Sequence, residues 1–525
     1  MRLMAKLRLK HKQKMRSNIT NENCSTPRQS LVWKVNYWKS FKFVLGFFCT
    51  CWTLYILYLM LTTHPCLQSS KCLAALMMGS DTSSFSSSVN TSLHLPTQTT
   101  QPQATCSETK PTSNYTSLHN IVFGLASSAK KWNQRKQYVE LWWKPDVTRG
   151  FVWLDHELDG PQITSTSLPS LKVSEDTARF RYTFKKGLRS AIRISRIVSE
   201  TFRLNLSDVH WFVMGDDDTV FFPENLLQVL SKYDHNQYYY IGSNSESVEQ
   251  NLLHSYGMAF GGGGFAISYP LAKALEKMQD NCLDRYSYLY GSDARIHACL
   301  ADLGVPLTKE PGFHQVDFRG NLLGWFSAHP LTPLVSLHHL DAMAPIFPKL
   351  NQTQAFQLLF KAVRADPSRI LQQTMCYDNS RHGSFSVAWG YTVHVFDSIQ
   401  LPRELEHPQR TFMHWRKSMT DQFMFNTRNV SRNPCQRPAV FFLDSVSIGS
   451  KEIKTSYTRQ TGNSCELGKS ALQALKQITV QSTESQSMWK QAPRRQCCDI
   501  LPSSSNNSLE VQIRSCLDGE VIYPG

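Results

Sequence analysis

The chain has 525 residues, 41% of them hydrophobic, which is enough to bury a sizeable core and too apolar for a disordered chain. Its formal charge of +15 invites a nucleic-acid partner, but ten of those charges sit in residues 1–42, where eleven Lys or Arg face a single acid, Glu22. The rest of the chain is nearly balanced, so nucleic acid is excluded as its expected ligand.

After the basic tail, residues 43–61 run for 19 positions without a charge. At 1.5 Å per residue such a segment crosses about 30 Å of hydrocarbon. A cleaved signal peptide would have a shorter apolar region nearer the start, so the run predicts a single membrane anchor. The excess of Lys and Arg before it predicts a cytosolic N-terminus and a lumenal body, a type II arrangement. Eleven of the 14 cysteines follow the anchor, where oxidising conditions permit disulfides. Sequons at Asn90, Asn114, Asn205, Asn351, Asn429 and Asn506 agree with that topology. Residues 62–118 read as a stem, because 19 of the 38 residues from Ser80 to Ser117 are Ser or Thr and offer little to bury.

The globular part is expected from residue 119. Ile121 to Leu125 and Gly150 to Leu154 read as strands, with a Trp-rich helical stretch between them. A helix follows with Ala191, Ile192, Val198 and Phe202 on its apolar side. Lys185, Lys186, Arg189, Arg193 and Arg196 then read as a solvated face. His210 to Met214 is a further strand, and Pro223 opens another helix. Helices alternating with strands predict an α/β domain over residues 119–350 with a mostly parallel sheet, whose ligands gather at the strands' carboxyl ends. Beyond residue 350, short β-favouring runs and six cysteines predict a smaller, disulfide-tied, strand-rich appendage over 351–525.

Asp216, Asp217 and Asp218 end a hydrophobic strand, and three adjacent carboxylates repel one another unless a cation compensates them. A divalent ion such as Mn²⁺ or Mg²⁺ does this and commonly bridges carboxylates to a diphosphate. Capping of the next helix needs only one of the three. The run Asp216 to Val220 also matches the nucleophile loop of dehalogenase-type phosphatases, in which Asp216 would attack phosphorus. Against that, such a loop opens its domain, whereas two strand-and-helix units precede this one. The glycines from Gly261 to Gly264, with Gly262 and Gly263 at their centre, permit close backbone approach to a sugar or phosphate, or simply a turn. Asp293 stands at a helix start, where it can cap the helix or serve as a general base, and Cys282 and Cys299 flank it. His314, Asp317, His338 and His339 can each supply a metal ligand, and spacing does not choose among them.

Taken together, HWFVMGDDDTVFFPENLLQVLSKYD, YIGSNSE, AFGGGGFAIS, YGSDARIHACLADLGVPLT and PGFHQVD resemble the Fringe branch of glycosyltransferase family 31, in its plant Fringe-related form, over residues 119–348. The segments WGYTVHVF and RRQCCDILP resemble the tail of those plant proteins. The resemblance implies a GT-A fold and an inverting, β1,3-type transfer from a UDP-sugar to a hydroxyl of a glycan or glycoconjugate acceptor. It implies Golgi residence and a second copy of the chain as a further candidate partner. By the same resemblance Asp216 and Asp217, with Gly262 and Gly263, lie near the donor, Asp218 binds Mn²⁺, and Asp293 is the base. His314 is the first choice for the histidine that completes the metal site, and His338 the second. Where Fringe carries an acidic pair this chain has Ser292 and Asp293, so one acid is missing. A membrane-tethered scaffold or carbohydrate-binding protein that keeps the fold without turnover is the non-enzymatic alternative.

Overall fold

The computed structural model describes residues 49–56, 115–159, 167–416, 422–460, 471–484, 493–502, 505 and 507–523. The chain divides into two units, Met1–Ser107 and Glu108–Gly525. In the first, residues 49–56 form an exposed helix inside the predicted anchor; the remainder of that anchor, the basic tail and the stem as far as residue 114 lie outside the described residues. Among the described residues no helix is long and apolar enough to cross a membrane.

The second unit is built on a seven-stranded sheet in the order β3-β2-β1-β4-β7-β6-β8. Its strands are β1 (Ile121–Ala126), β2 (Arg149–Leu154), β3 (Ser170–Val173), β4 (Trp211–Asp216), β6 (Tyr240–Gly242), β7 (Phe265–Ser268) and β8 (Leu307–Lys309). A short β5 (Val220–Phe221) leaves this sheet for a smaller one. Pairing is parallel from β3 to β4 and between β6 and β8, while β7 runs antiparallel to both of its neighbours. Strand β1 is buried at every residue, as an apolar run covered on both faces must be. Its side chains alternate: Ile121, Phe123 and Leu125 join one core and Val122 and Ala126 the other. Helix α1 (Ala129–Glu140) follows β1. Helices α2 (Ser190–Phe202), α5 (Tyr269–Arg285) and α6 (Gly291–Asp302) pack together on the face of Val122 and Met214, and a Cys282–Cys299 disulfide joins α5 to α6. Helix α3 (Pro223–Leu230) follows β5 and α4 (Val248–Leu253) follows β6.

The expected solvated basic face holds for Lys185, Lys186 and Arg189, which are exposed, but not for the two arginines within α2. Arg193 is 8% and Arg196 1% exposed. Arg193 donates to the carbonyls of Ser127 and Trp153, and so clamps the ends of β1 and β2 together. Arg196 is buried among Glu200 of its own helix and Glu175 and Asp280 of other elements, because helical spacing turns both arginines inward, Arg193 toward carbonyls and Arg196 toward carboxylates.

Three shorter strands, β9 (Phe313–His314), β10 (Phe318–Gly320) and β11 (Ser336–Leu337), lead to α7 (Gln352–Ala365). Asn351 caps α7 by accepting from the Gln354 N–H, with Gln354 reaching back in a capping box. After α7 come β12 (Gln373–Asp378), β13 (Gly383–Ala388) and β14 (Thr392–Phe396), then β15 (Phe412–His414). The last strands are β16 (Ala439–Ile448), β17 (Ile453–Arg459), β18 (Gln477–Ser482), β19 (Cys497–Leu501) and β20 (Ser508–Arg514). All of these except β15 form one eight-stranded sheet, with Cys376–Cys498 and Cys497–Cys516 disulfides at its edge strands. This region is strand-rich as expected but not a small appendage. One core runs without a break from Phe221 through Phe356 and Phe360 to Phe385, Tyr391 and Val480. Of the sequons within the described residues, Asn205, Asn351 and Asn429 are exposed.

Candidate active site

The strand order reverses at β1, with β2 on one side of it and β4 on the other. A crevice at the carboxyl ends of two such strands is where open α/β sheets bind ligands. Here those ends are Ala126 and Asp216, and the Asp217 N–H donates to the Ala126 carbonyl at 2.9 Å. The acidic turn is closed by Thr219, whose N–H donates to the Asp216 carbonyl and whose Oγ1 accepts from the Asp216 N–H. Antiparallel pairing of β5 with β11, Val220 against Leu337, then sets the next residue, His338, over the turn.

Asp216, Asp218 and His338 converge there, each offering one ligand atom, all within 4.8 Å of one another. His338 Nε2 lies 3.3 Å from Asp218 Oδ1 and 3.7 Å from Asp216 Oδ2. Burial works against the His338 imidazolium, but the carboxylates of Asp218 and Asp216 outweigh it and push the group up to about 9. Burial likewise opposes the Asp218 carboxylate, yet His338 and Arg135 hold it well below the usual range. Asp216, its side chain one-third exposed, is pushed up to about 7 by burial, with Asp218 and Asp293 adding to the effect against His338. Asp218 Oδ1 and His338 Nδ1 are buried without a hydrogen-bond partner, and one nitrogen with two carboxylate oxygens is a donor set that suits Mn²⁺ or Mg²⁺. The residues fit a divalent ion.

The glycine segment packs directly on this group. A Cβ on Gly262 would lie 2.1 Å from His338 Cε1, and one on Gly261 would lie 2.6 Å from Asp293 Oδ1. The Gly262 carbonyl accepts from Thr219 Oγ1 at 2.7 Å, and the Gly263 N–H donates to Gln315 at 2.7 Å. Asp293 is the third residue of α6, whose N-cap is Tyr290, so it does not cap that helix. Burial raises its carboxyl, against the Gly261 amide and the Ser292 hydroxyl, which donates to it at 2.9 Å. Asp216, Gly261, Ser292 and Asp293 line one cavity, walled by Ile194, Met214, Phe265 and Ile296.

Residues 250–498 match a family described as a protein of unknown function, DUF604. Two proteins named beta-1,3-glucosyltransferase are similar to the chain. That of Mus musculus is 32% identical over 140 residues, covering 25% of this chain and 26% of its own length. That of Homo sapiens is 32% identical over 106 residues, covering 20% of each. Over these stretches the chain is similar to beta-1,3-glucosyltransferases, in agreement with the Fringe-like resemblance of its motifs. It spans about a quarter of the mouse protein's length and a fifth of the human one's.

The fold brings together Asp216, Asp218, His338 and Asp293, and holds His314 apart from them. His314 ends β9, one strand over from His338. Its Nδ1 faces Glu246 Oε1 at 3.0 Å and its Nε2 faces His329 at 3.1 Å, so both ring nitrogens are occupied. Burial depresses His314 to about 3 and raises Glu246 to about 8, so at neutral pH this is an uncharged pair. Asp217 is 3% exposed, with its oxygens held by Ser127 at 2.6 Å and Arg135 at 2.9 Å. Gly262 and Gly263 are also buried and make room for His338 and Gln315. Sequence reasoning missed Arg135, which bridges Asp217, Asp218 and Asp341 at 2.9 to 3.1 Å, while Tyr138 donates to Asp341 at 2.7 Å. The available signal was position: a helix leaving the switch-point strand presents its first turns to the crevice.

Proposed function

We propose that the chain is an inverting glycosyltransferase that moves a sugar from a UDP-sugar to a hydroxyl of a glycan or glycoconjugate, with β1,3-type linkage, on the lumenal side of a Golgi membrane. The observation that carries this reading is the convergence of Asp216, Asp218 and His338, with partner-free buried donor atoms, on the cavity that holds Asp293. The names of the mouse and human relatives support the linkage type. The basic tail, the apolar run and the exposed sequons support the topology.

Asp218, His338 and Asp216 would hold Mn²⁺ or Mg²⁺, which when bound supplies positive charge to a departing diphosphate. Arg135 anchors Asp218 and Asp217 from α1 and keeps the turn's shape. Asp293, with its carboxyl raised by burial, takes the proton of the acceptor hydroxyl as that oxygen attacks the anomeric carbon. The C–O bond to the diphosphate breaks on the opposite face, so configuration inverts. The apolar walls of Ile194, Met214, Phe265 and Ile296 limit water at the base.

A screen of UDP-sugars against the full-length protein in detergent, with and without Mn²⁺, tests this. Transfer or slow hydrolysis of one UDP-sugar that chelator abolishes is expected. Release of phosphate from phosphomonoesters with no action on any UDP-sugar would move the turn to the phosphatase reading, and inertness toward both would favour a scaffold.

A further inference from the structure

Trp415 lies far along the chain from the acidic turn, yet it closes a stack that ends on it. Its ring lies on His339 with centroids 4.0 Å apart and planes inclined 12°, and His339 in turn lies 3.9 Å from His338. His338 is therefore enclosed between the Gly262 backbone on one side and His339 on the other. His339 occupies the left-handed region at φ 58°, which a residue with a Cβ keeps only where its surroundings hold it. Its Nδ1 lies 3.4 Å from Asp317 Oδ1, and Asp317 is fixed by Ser245 Oγ at 2.5 Å and accepts the Trp415 N–H at its carbonyl at 3.1 Å.

The backbone that carries Trp415 is itself docked on the catalytic part. Strand β15 pairs with β10, Phe318 against His414. Arg319 Nε donates to the His414 carbonyl at 3.1 Å, and His414 Nε2 meets Ser247 Oγ at 2.6 Å. Past Trp415 the chain returns to the same place, where the Met424 N–H donates to the Glu246 carbonyl and the Val248 N–H to that of Gln422. The family match spans both His338 and Trp415.

We propose that Trp415 is a positioning residue for the metal-site histidine: the strap from the C-terminal region stacks Trp415 on His339, and His339 fixes the ring of His338 against Asp218. This rests on the reading that Asp216, Asp218 and His338 hold a divalent ion. Residues that orient a ligand without touching the ion typically change metal affinity by about 10- to 100-fold when removed. The role needs a flat ring, so volume alone does not replace it.

The test is Mn²⁺ binding to the full-length protein in detergent, read from the free-ion electron paramagnetic resonance signal, for wild type and for Trp415→Ala, Trp415→Leu and Trp415→Phe. The expected result is affinity weakened about tenfold or more in the Ala and Leu variants and within about threefold of wild type in the Phe variant. The Leu variant keeps an apolar side chain at a half-buried position, so the Leu to Phe difference decides even where the Ala variant loses its fold. Wild type that binds Mn²⁺ with all three variants alike overturns the positioning role and leaves the metal site standing. Wild type that binds no Mn²⁺ overturns the metal site, and the positioning role falls with it.

Discussion

Replacing Gly262 with alanine puts one methyl where the structure has no room for it. The added Cβ would lie 2.1 Å from His338 Cε1, 2.4 Å from Nδ1 and 2.5 Å from Nε2, so it strikes the ring on its face. The ring cannot slide away freely, because His339 lies 3.9 Å behind it and His339 is backed by Trp415. Forcing an extra carbon into such a site costs about 1–3 kcal/mol. At about 2.1 cal/mol/K of unfolding entropy per residue, a unit of roughly 400 residues would lose about 1–4 °C in Tm. The larger effect is on ligands: a displaced His338 leaves its place 3.3 Å from Asp218 Oδ1, and the Mn²⁺-dependent part of UDP affinity falls about tenfold or more. Calorimetric titration of UDP with and without Mn²⁺, beside a thermal melt, reads both quantities. Gly262→Ala with wild-type Mn²⁺ dependence and wild-type Tm would refute the packing argument.

Asp293→Asn keeps size and removes the base, so turnover should fall by about 10² to 10⁴ while UDP binding persists; transfer within about threefold of wild type would leave Asp293 no role as a base. His338→Ala and His314→Ala should separate, the first weakening Mn²⁺ binding and the second leaving it intact. His314→Ala should instead cost about 1–3 kcal/mol of stability for each buried partner left alone, here Glu246 and His329; equal loss of Mn²⁺ affinity in both variants would contradict the geometry. Glu246 is raised by burial to about 8, so the folded state holds a proton that the unfolded state releases near 4.5. Its contribution is present below about pH 4.5 and is lost as pH rises to 8, a change on the order of 5 kcal/mol. Glu246→Gln mimics the protonated form and should flatten the stability profile between about pH 5 and 8, measured by denaturant unfolding; an unchanged slope would place the titration elsewhere.

The parts of this site that were legible in the sequence share one property: they follow from neighbours along the chain. The acidic turn is announced by the apolar strand that precedes it, and β4 ends at Asp216 because an ionisable side chain ends the run that can be buried on both faces. The helix opening at Pro223 and the strand Ala439–Ile448 are local in the same way. What could not be read depends on pairing between distant segments. His314 ends β9 and His338 directly follows β11, the adjacent strand of one small sheet, with His314 beside Leu337, and only that register decides which ring meets the acids. Composition treats the two histidines alike. Arg193 and Arg196 differ from the expectation for a related reason, since helical periodicity gives the side of α2 they occupy but not that Glu175 and Asp280 wait there to pair with Arg196 and the Ser127 carbonyl to accept from Arg193.

The same reasoning explains why three adjacent carboxylates need not signal an ion by themselves. Arg135 lies within about 3 Å of two of them, and a protonated His338 lies 3.3 Å from Asp218 and 3.7 Å from Asp216, so the turn carries compensating charge without any metal. The stronger argument for an ion is that this compensation is incomplete in geometry. Arg135 reaches Asp217 Oδ1 and Asp218 Oδ2, on the α1 side of the turn, and leaves Asp218 Oδ1 to His338 Nε2, which lies 3.3 Å away without making a hydrogen bond to it. A divalent ion on that side would displace the His338 proton and supply the partner that Asp218 Oδ1 lacks, while Arg135 keeps the other oxygen. The turn thus has two faces, one tied to α1 through Arg135 and one turned toward His338 and Asp216, and on the proposed reading Asp217 would be structural while Asp218 would serve both.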